Sequence, residues 1–249
     1  MPGSIVVNVR RAPLGDEGWE GVALTSASVT GPYPTLRWER ARWAEGDEVV
    51  VGIDEVGRGS WAGPVTVCAL VPAAEHLRGV RDSKMLTPQE RERCAARVRA
   101  WARAVGVGHA SHEECDALGM TEALRTAARR ALAQLEAQGY TPDRIVLDGN
   151  HDYLRLPGRV HTVVKADQTV LSVAAASVVA KVTRDAIMAD EAEHYPHYGF
   201  ESNRGYPAPA HKCALLAYGP SAIHRRSWIF MESSLWGGLP RYERQARLF

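Results

Sequence analysis

A mixed α/β sheet with helices packed on it is the fold class this sequence predicts, and three observations predict it. Short apolar runs rich in valine and isoleucine recur at 49–53, 65–72, 144–147 and 160–165. The first two lie only a loop apart, as antiparallel neighbours do, and the later ones alternate with helical stretches, which makes them parallel strands. The acids Asp54, Glu55, Asp148 and Asp167 stand at or just beyond the ends of three of these runs. No repeat of solenoid period competes with this reading.

The chain has 249 residues, 45% of them hydrophobic and 24% charged, enough for a large core without staples. Its net charge of +1 gives no global field, so any nucleic-acid contact must come from local patches. Cys68, Cys94, Cys115 and Cys213 lie far apart without a C-x-x-C pair, which points to reduced thiols in a cytoplasmic protein. The longest apolar stretch, 169–182, is too short and alanine-rich to span a bilayer, and the N-terminus lacks the basic-then-apolar order of a signal peptide.

Taken in order, residues 1–34 scatter Gly, Pro and Ser without a period, apart from a short strand candidate at 5–7. Residues 35–44 suit a short helix that Gly46 ends, so 1–47 reads as an N-terminal extension. The main domain is assigned to 48–230 and a tail to 231–249. A strand at 49–53 runs into Asp54 and Glu55 and then into a loop of Gly57, Arg58, Gly59, Gly63 and Pro64. Thr87 and Glu90, with Pro88 between them, form a capping box that opens a helix to about residue 104. Residues 105–110 form a short strand, and Ser111 with Glu114 makes a second capping box. A long alanine-rich helix covers 121–138 and stops at Gly139. The strand at 144–147 ends in Asp148, and the strand at 160–165 is followed by Asp167, which can cap a helix running to about residue 190.

Carboxylates at several strand ends converge on one sheet edge if the strands are neighbours. Such a cluster does not ionise fully without cations. Hard oxygen ligands select magnesium or manganese, completed by waters and substrate phosphates, and the chemistry implied is two-metal hydrolysis of a phosphodiester. The plain alternatives are a solvated acidic turn at 54–55, a turn acid at Asp148 and a helix cap at Asp167. Ser60 lacks a G-x-S-x-G elbow and no H-E-x-x-H is present, so serine and zinc hydrolases are poorly supported. Adjacent strand residues point to opposite faces, so if Asp54 and Glu55 share a site the strand is expected to bend or end between them, and regular alternation through Glu55 would count against its assignment to the site.

Asp54-Glu55-Val56-Gly57-Arg58-Gly59 followed by Ala62-Gly63-Pro64 resembles the signature of type 2 ribonuclease H, ribonuclease HII. The likeness continues in order through Asp82-Ser83-Lys84, Leu147-Asp148-Gly149-Asn150, Lys165-Ala166-Asp167, Ala174 to Lys181, Arg184-Asp185, Gly205-Tyr206, His211 and His224-Arg225-Arg226-Ser227. The resemblance implies a ribonuclease H-like mixed sheet with flanking helices and a small C-terminal helical part. It implies hydrolysis of the RNA strand of RNA–DNA hybrids and incision 5′ of single ribonucleotides in duplex DNA, leaving a 3′-hydroxyl and a 5′-phosphate. Two divalent cations, Mg2+ or Mn2+, would be held by Asp54, Glu55, Asp148 and Asp167. By the same resemblance Gly57, Arg58 and Gly59 contact the ribose 2′-hydroxyl and its phosphate with backbone groups, and Tyr206 bonds that hydroxyl. Ser83 and Lys84 are candidates for a phosphate. Arg225 and Arg226 suit either the duplex groove or structural ion pairs, and Lys181 either substrate or a helix-surface pair with Asp185. The expected partners are RNA–DNA hybrids and duplex DNA containing ribonucleotides, with no membrane, for a cytoplasmic monomer. Tyr206 in the type 2 position, and the short irregular N-terminal stretch, separate the chain from the type 3 enzyme. A hybrid-binding module without activity is the other reading, which the intact carboxylates oppose.

Overall fold

The computed structural model describes residues 33–80, 86–228 and 231. The strand candidate at 5–7, with Ser83 and Lys84, lies outside the described residues. Among the described residues no helix is long and apolar enough to cross a membrane. Cys68, Cys94 and Cys115 are buried free thiols, and Cys213 is exposed.

Five strands form one sheet, β1 (Val50–Val56), β2 (Val65–Val71), β3 (Ala104–Ala110), β4 (Arg144–Asp148) and β5 (Val160–Val163), in the order β3-β2-β1-β4-β5. β2 is antiparallel to both β1 and β3, while β1, β4 and β5 pair in parallel, so β2 alone runs against the rest. This matches the mixed sheet expected. Both capping boxes form: Glu90 N–H donates to Thr87 Oγ1 at 3.3 Å and Glu114 N–H to Ser111 Oγ at 3.1 Å. They open α2 (Pro88–Trp101) and α3 (His112–Leu118). α2 stops at Trp101, short of residue 104, because β3 already begins at Ala104.

Two apolar layers hold the sheet. On one face Val51, Ile53, Val65, Val67, Ile145 and Leu147 pack with α4 (Met120–Ala137), burying its Ala123, Leu124, Ala127, Ala128, Ala131 and Leu135 stripe. On the other, Cys68 and Leu70 pack against α2 and the long α5 (Leu171–His194). α4 also runs beside the outer edge of β3. Gln134 accepts from Val107 N–H at 3.0 Å and donates to Val107 C=O at 2.7 Å. Gln138 donates to Val105 C=O at 3.0 Å and Arg130 to His109 C=O at 2.6 Å. A third small core gathers Ala62, Met188, Tyr198, Phe200, Ala214 and Ile223 around α6 (Phe200–Asn203) and α7 (Pro209–Tyr218). This is the small C-terminal helical part.

Residues 33–47, read from sequence as part of an extension, pack onto this body. Thr35 forms a parallel bridge with Val170, Leu36 is buried beside α5, and α1 (Arg37–Ala44) follows. Glu39 is fully buried, and its Oε1 accepts from Ser172 N–H at 2.8 Å, one of the amides left open by the first turn of α5. Burial raises the Glu39 pKa above the ordinary carboxylate value. The neutral acid is therefore the form the fold prefers. Its contribution is complete below the unfolded pKa and is lost as pH rises through the raised folded value. Glu39→Gln keeps the acceptor and removes the titration. Urea denaturation should show it more stable than wild type at pH 7.5, with the advantage vanishing near pH 4.5. A constant difference across that range would contradict the assignment.

Candidate active site

β1 carries the first two acids, and its register shows how they meet. The strand does not bend or end between them: Asp54 pairs with Cys68, Glu55 with Val67 and Val56 with Thr66 in unbroken alternation. The expected break is thus overturned. Gly52, on the Asp54 side, faces Ser172 of α5, whereas Ile53, on the Glu55 side, packs with the α4 layer. The two carboxylates still line one cleft, because pairing to β4 stops at Ile53 with Leu147. Beyond that point the β1 edge is open, and side chains from both faces reach it.

Asp148 ends β4, and its Oδ1 accepts from Ala166 N–H at 2.7 Å. That bond pins the turn carrying Asp167 to the strand end. Lys165 turns the chain there with φ +58°, the left-handed region that non-glycine residues seldom occupy and that clusters at functional sites. Asp167 does not cap the long helix. It lies in a one-turn 3-10 helix, Ala166–Gln168, while α5 begins at Leu171 without a side-chain cap and runs to His194. The plain reading of Asp167 as a helix cap is therefore removed.

The cleft, of about 420 Å³, is lined by all four carboxylates, by Gly57, Arg58, Gly59 and Tyr206, and by Ser177 and Lys181 of α5. Burial, and then the Glu55 charge beside it, hold the Asp54 pKa well above the usual range, while the Ser177 hydroxyl bonds the ionised form and pulls it down. Glu55 is raised by burial, which the Arg58 guanidinium, 3.7 Å away, partly offsets. The buried Tyr153 hydroxyl donates to Glu55 Oε2 at 3.4 Å. Among the described residues no three His, Cys, Asp or Glu side chains close into a ready-made metal cage. The donors are hard oxygens that repel one another, a set suited to a hard cation that keeps waters and is completed by substrate.

The glycine loop rests on two buried arginines. Arg184 of α5 donates to Pro64 C=O at 2.8 Å, to Arg204 C=O at 2.9 Å and, through Nη2, to Ser60 Oγ at 2.7 Å and Ala62 C=O at 3.1 Å. Ser60 Oγ in turn donates to Gly57 C=O at 2.9 Å. Arg225 donates to Gly63 C=O at 3.0 Å and to Arg58 C=O at 3.1 Å. It is fully buried on these carbonyls, so it does not line a duplex groove. Gly57 has φ +89°, and its N–H donates to the Tyr206 hydroxyl at 3.1 Å. The loop and Tyr206 are 149 residues apart in sequence and bonded in the fold. Lys181 forms its helix pair with Asp185 at 2.6 Å and still lines the cleft.

Tyr153, Ser177 and Arg184 are the residues sequence reading missed as parts of the site. Ser177 and Arg184 stood inside recognised motifs without a role. Nothing in the sequence marks Tyr153, whose contact with Glu55 spans 98 positions.

A sheet with one reversed strand, and four carboxylates from β1, β4 and the turn after β5 lining one cleft, is the arrangement of an enzyme of the ribonuclease H type. Residues 51–231 match the family model for ribonuclease HII. The ribonuclease HII of Streptomyces avermitilis is 50% identical over 206 residues, covering 81% of this chain and 87% of that protein. Ribonuclease H2 from Pyrococcus horikoshii superposes with a TM-score of 0.61 at 28% identity, over 74% of this chain and 95% of that one. The PCNA:RNase HII complex from Archaeoglobus fulgidus gives 0.60 at 26%, over 72% and 95%. The chain belongs to the ribonuclease HII family and is an endoribonuclease hydrolase.

Proposed function

We propose that this enzyme hydrolyses the RNA strand of RNA–DNA hybrids and incises duplex DNA 5′ of single ribonucleotides, leaving a 3′-hydroxyl and a 5′-phosphate. The observation that carries the reading is the meeting, in one cleft, of four carboxylates with a glycine loop bonded to Tyr206. Asp54, Glu55, Asp148 and Asp167 would hold two divalent cations, Mg2+ or Mn2+. Bound there, such cations supply an activated water and charge stabilisation for the leaving oxygen. The raised pKa values of Asp54 and Glu55 support this, since buried acids in mutual repulsion are the groups a cation relieves.

The chain's own residues do the selecting. Backbone groups of Gly57, Arg58 and Gly59 approach the sugar where a Cβ would stand in the way, and telling RNA from DNA requires reading the 2′-hydroxyl. An added Cβ on Gly59 meets no atom within 4 Å, so the space beside it is open to substrate. The Tyr206 hydroxyl, held by Gly57 N–H, keeps its own proton for that 2′-hydroxyl. Lys181 lines the same cleft as a cation for a phosphate, and Ser83 and Lys84 are proposed to contact phosphate as well.

The test is a gel assay on duplex DNA with one embedded ribonucleotide and on an RNA–DNA hybrid, with each metal in turn. Metal-dependent cuts 5′ of the ribonucleotide are expected. Tyr206→Phe should lower incision at the isolated ribonucleotide about tenfold, the effect of one lost hydrogen bond to substrate, and hybrid cleavage less. Equal rates for both proteins on both substrates would remove Tyr206 from recognition.

A further inference from the structure

Beneath Tyr206 lie two fully buried histidines, His211 of α7 and His224, whose Nε2 atoms are 2.9 Å apart. Their outer nitrogens meet backbone groups of opposite kind. His224 Nδ1 accepts from Ser221 N–H at 2.9 Å, with the Ser221 hydroxyl at 2.8 Å sharing that nitrogen. His211 Nδ1 lies 2.8 Å from the carbonyl oxygen of Tyr206. An amide N–H only donates and a carbonyl only accepts, so the proton positions follow from the ends inward. His224 has a bare Nδ1 and carries its proton on Nε2. That proton is donated to a bare His211 Nε2, and His211 carries its proton on Nδ1, bonded to Tyr206 C=O. A second proton on either ring would set two N–H groups against each other. Burial agrees, lowering both pKa values, His224 to about 3.

Both ends of this chain touch the parts that would check the sugar. His224 bridges Ala62, and its neighbours bond Gly63 and Trp61, the far limb of the glycine loop. The Tyr206 carbonyl is held by His211 and by Ala208 N–H at 2.8 Å, while its hydroxyl reaches Gly57. Tyr198 and Phe200 wall the ring pair, with centroids 5.0 to 6.1 Å away.

We propose that His211 and His224 form a neutral strut of fixed tautomers that sets the Tyr206 loop against the glycine loop, making both histidines positioning residues for ribose discrimination. The inference rests on the reading of Tyr206 given above. Nitrogen-15 NMR of the full chain at pH 7 tests the strut itself. A scalar coupling across an N–H···N bond identifies the two rings, one protonated on Nδ1 and the other on Nε2. The same tautomer on both rings, or no coupling, would overturn the strut.

Kinetics test its purpose. An asparagine amide nitrogen can stand where His211 Nδ1 stands, whereas a glutamine amide reaches the Nε2 position instead. His211→Gln should lower kcat for incision at a single ribonucleotide about tenfold with little change in KM, and His211→Asn should restore most of that loss. In a Tyr206→Phe background the effect of His211→Gln should disappear, because the two act through one bond. Equal losses for Gln and Asn, or an undiminished loss in the Tyr206→Phe background, would reduce the pair to a packing role. If Tyr206→Phe alone leaves incision unchanged, the reading of Tyr206 falls and this inference with it. Impaired Tyr206→Phe beside an unimpaired His211→Gln overturns the inference alone.

Discussion

Asp54→Asn is expected to lower cleavage of both substrates by about a thousandfold or more, since a lost metal ligand removes several kcal/mol of charge stabilisation. The metal-free protein should nevertheless unfold at the same or a higher temperature than wild type. Asp54 is buried beside Glu55 and Asp148, and its folded pKa is raised chiefly by burial. Its stabilising contribution is therefore complete only below the ordinary carboxylate pKa and is lost as pH rises through the raised value. Asparagine is exempt from that loss, so its advantage should grow from pH 4 towards pH 8. Magnesium should raise the melting temperature of wild type and leave the variant unmoved. Calorimetry with and without metal, beside the gel assay, checks each part. Full activity of the variant would remove Asp54 from the metal site.

Gly57→Ala is the second large effect, and it should be a stability effect first. An added Cβ would stand 2.2 Å from Arg184 Nε and 2.8 Å from Pro64 C=O, at a φ of +89°. The strained backbone and the displaced guanidinium together should cost about 3 kcal/mol, or roughly 6 to 12 °C in melting temperature for a domain of this size. Activity on both substrates should fall with it. Gly59→Ala is the control in the same loop. Its Cβ meets nothing within 4 Å, so the melting temperature should hold while KM for substrate rises. A Gly57→Ala protein as stable as wild type would show that the loop does not need its seat on Arg184.

The parts of this molecule written in short-range chemistry were legible in the sequence. Both capping boxes, the Lys181–Asp185 pair and the acid Asp148 at the end of β4 depend on residues within a few positions of one another, whereas β1 runs on through Asp54 and Glu55 to Val56 instead of stopping before them. Contacts across the fold were not legible. The strand was expected to break between Asp54 and Glu55 because alternation alone would part them. What joins them is where the neighbouring strand stops, a fact about β4 and not about β1. Asp167 looked like a cap because a helix follows it, yet a 3-10 turn pinned to Asp148 intervenes. Arg225 suited a duplex groove or a structural ion pair by its sequence, and its burial depends on carbonyls 162 and 167 positions away.

The side of α4 that faces β3 has a consequence for how this protein behaves in a crowded solution. Arg130, Gln134 and Gln138 repeat every four residues, about 6 Å along a helix, and β3 presents His109, Val107 and Val105 every two, about 6.6 Å along a strand. The two rhythms nearly coincide, so a row of side chains on a helix takes the place of a sixth strand. An open edge of this kind is where unrelated chains add themselves to a sheet and begin to aggregate. Here the template at the β3 edge is already occupied by side chains of the protein's own helix, and that edge does not invite a neighbour.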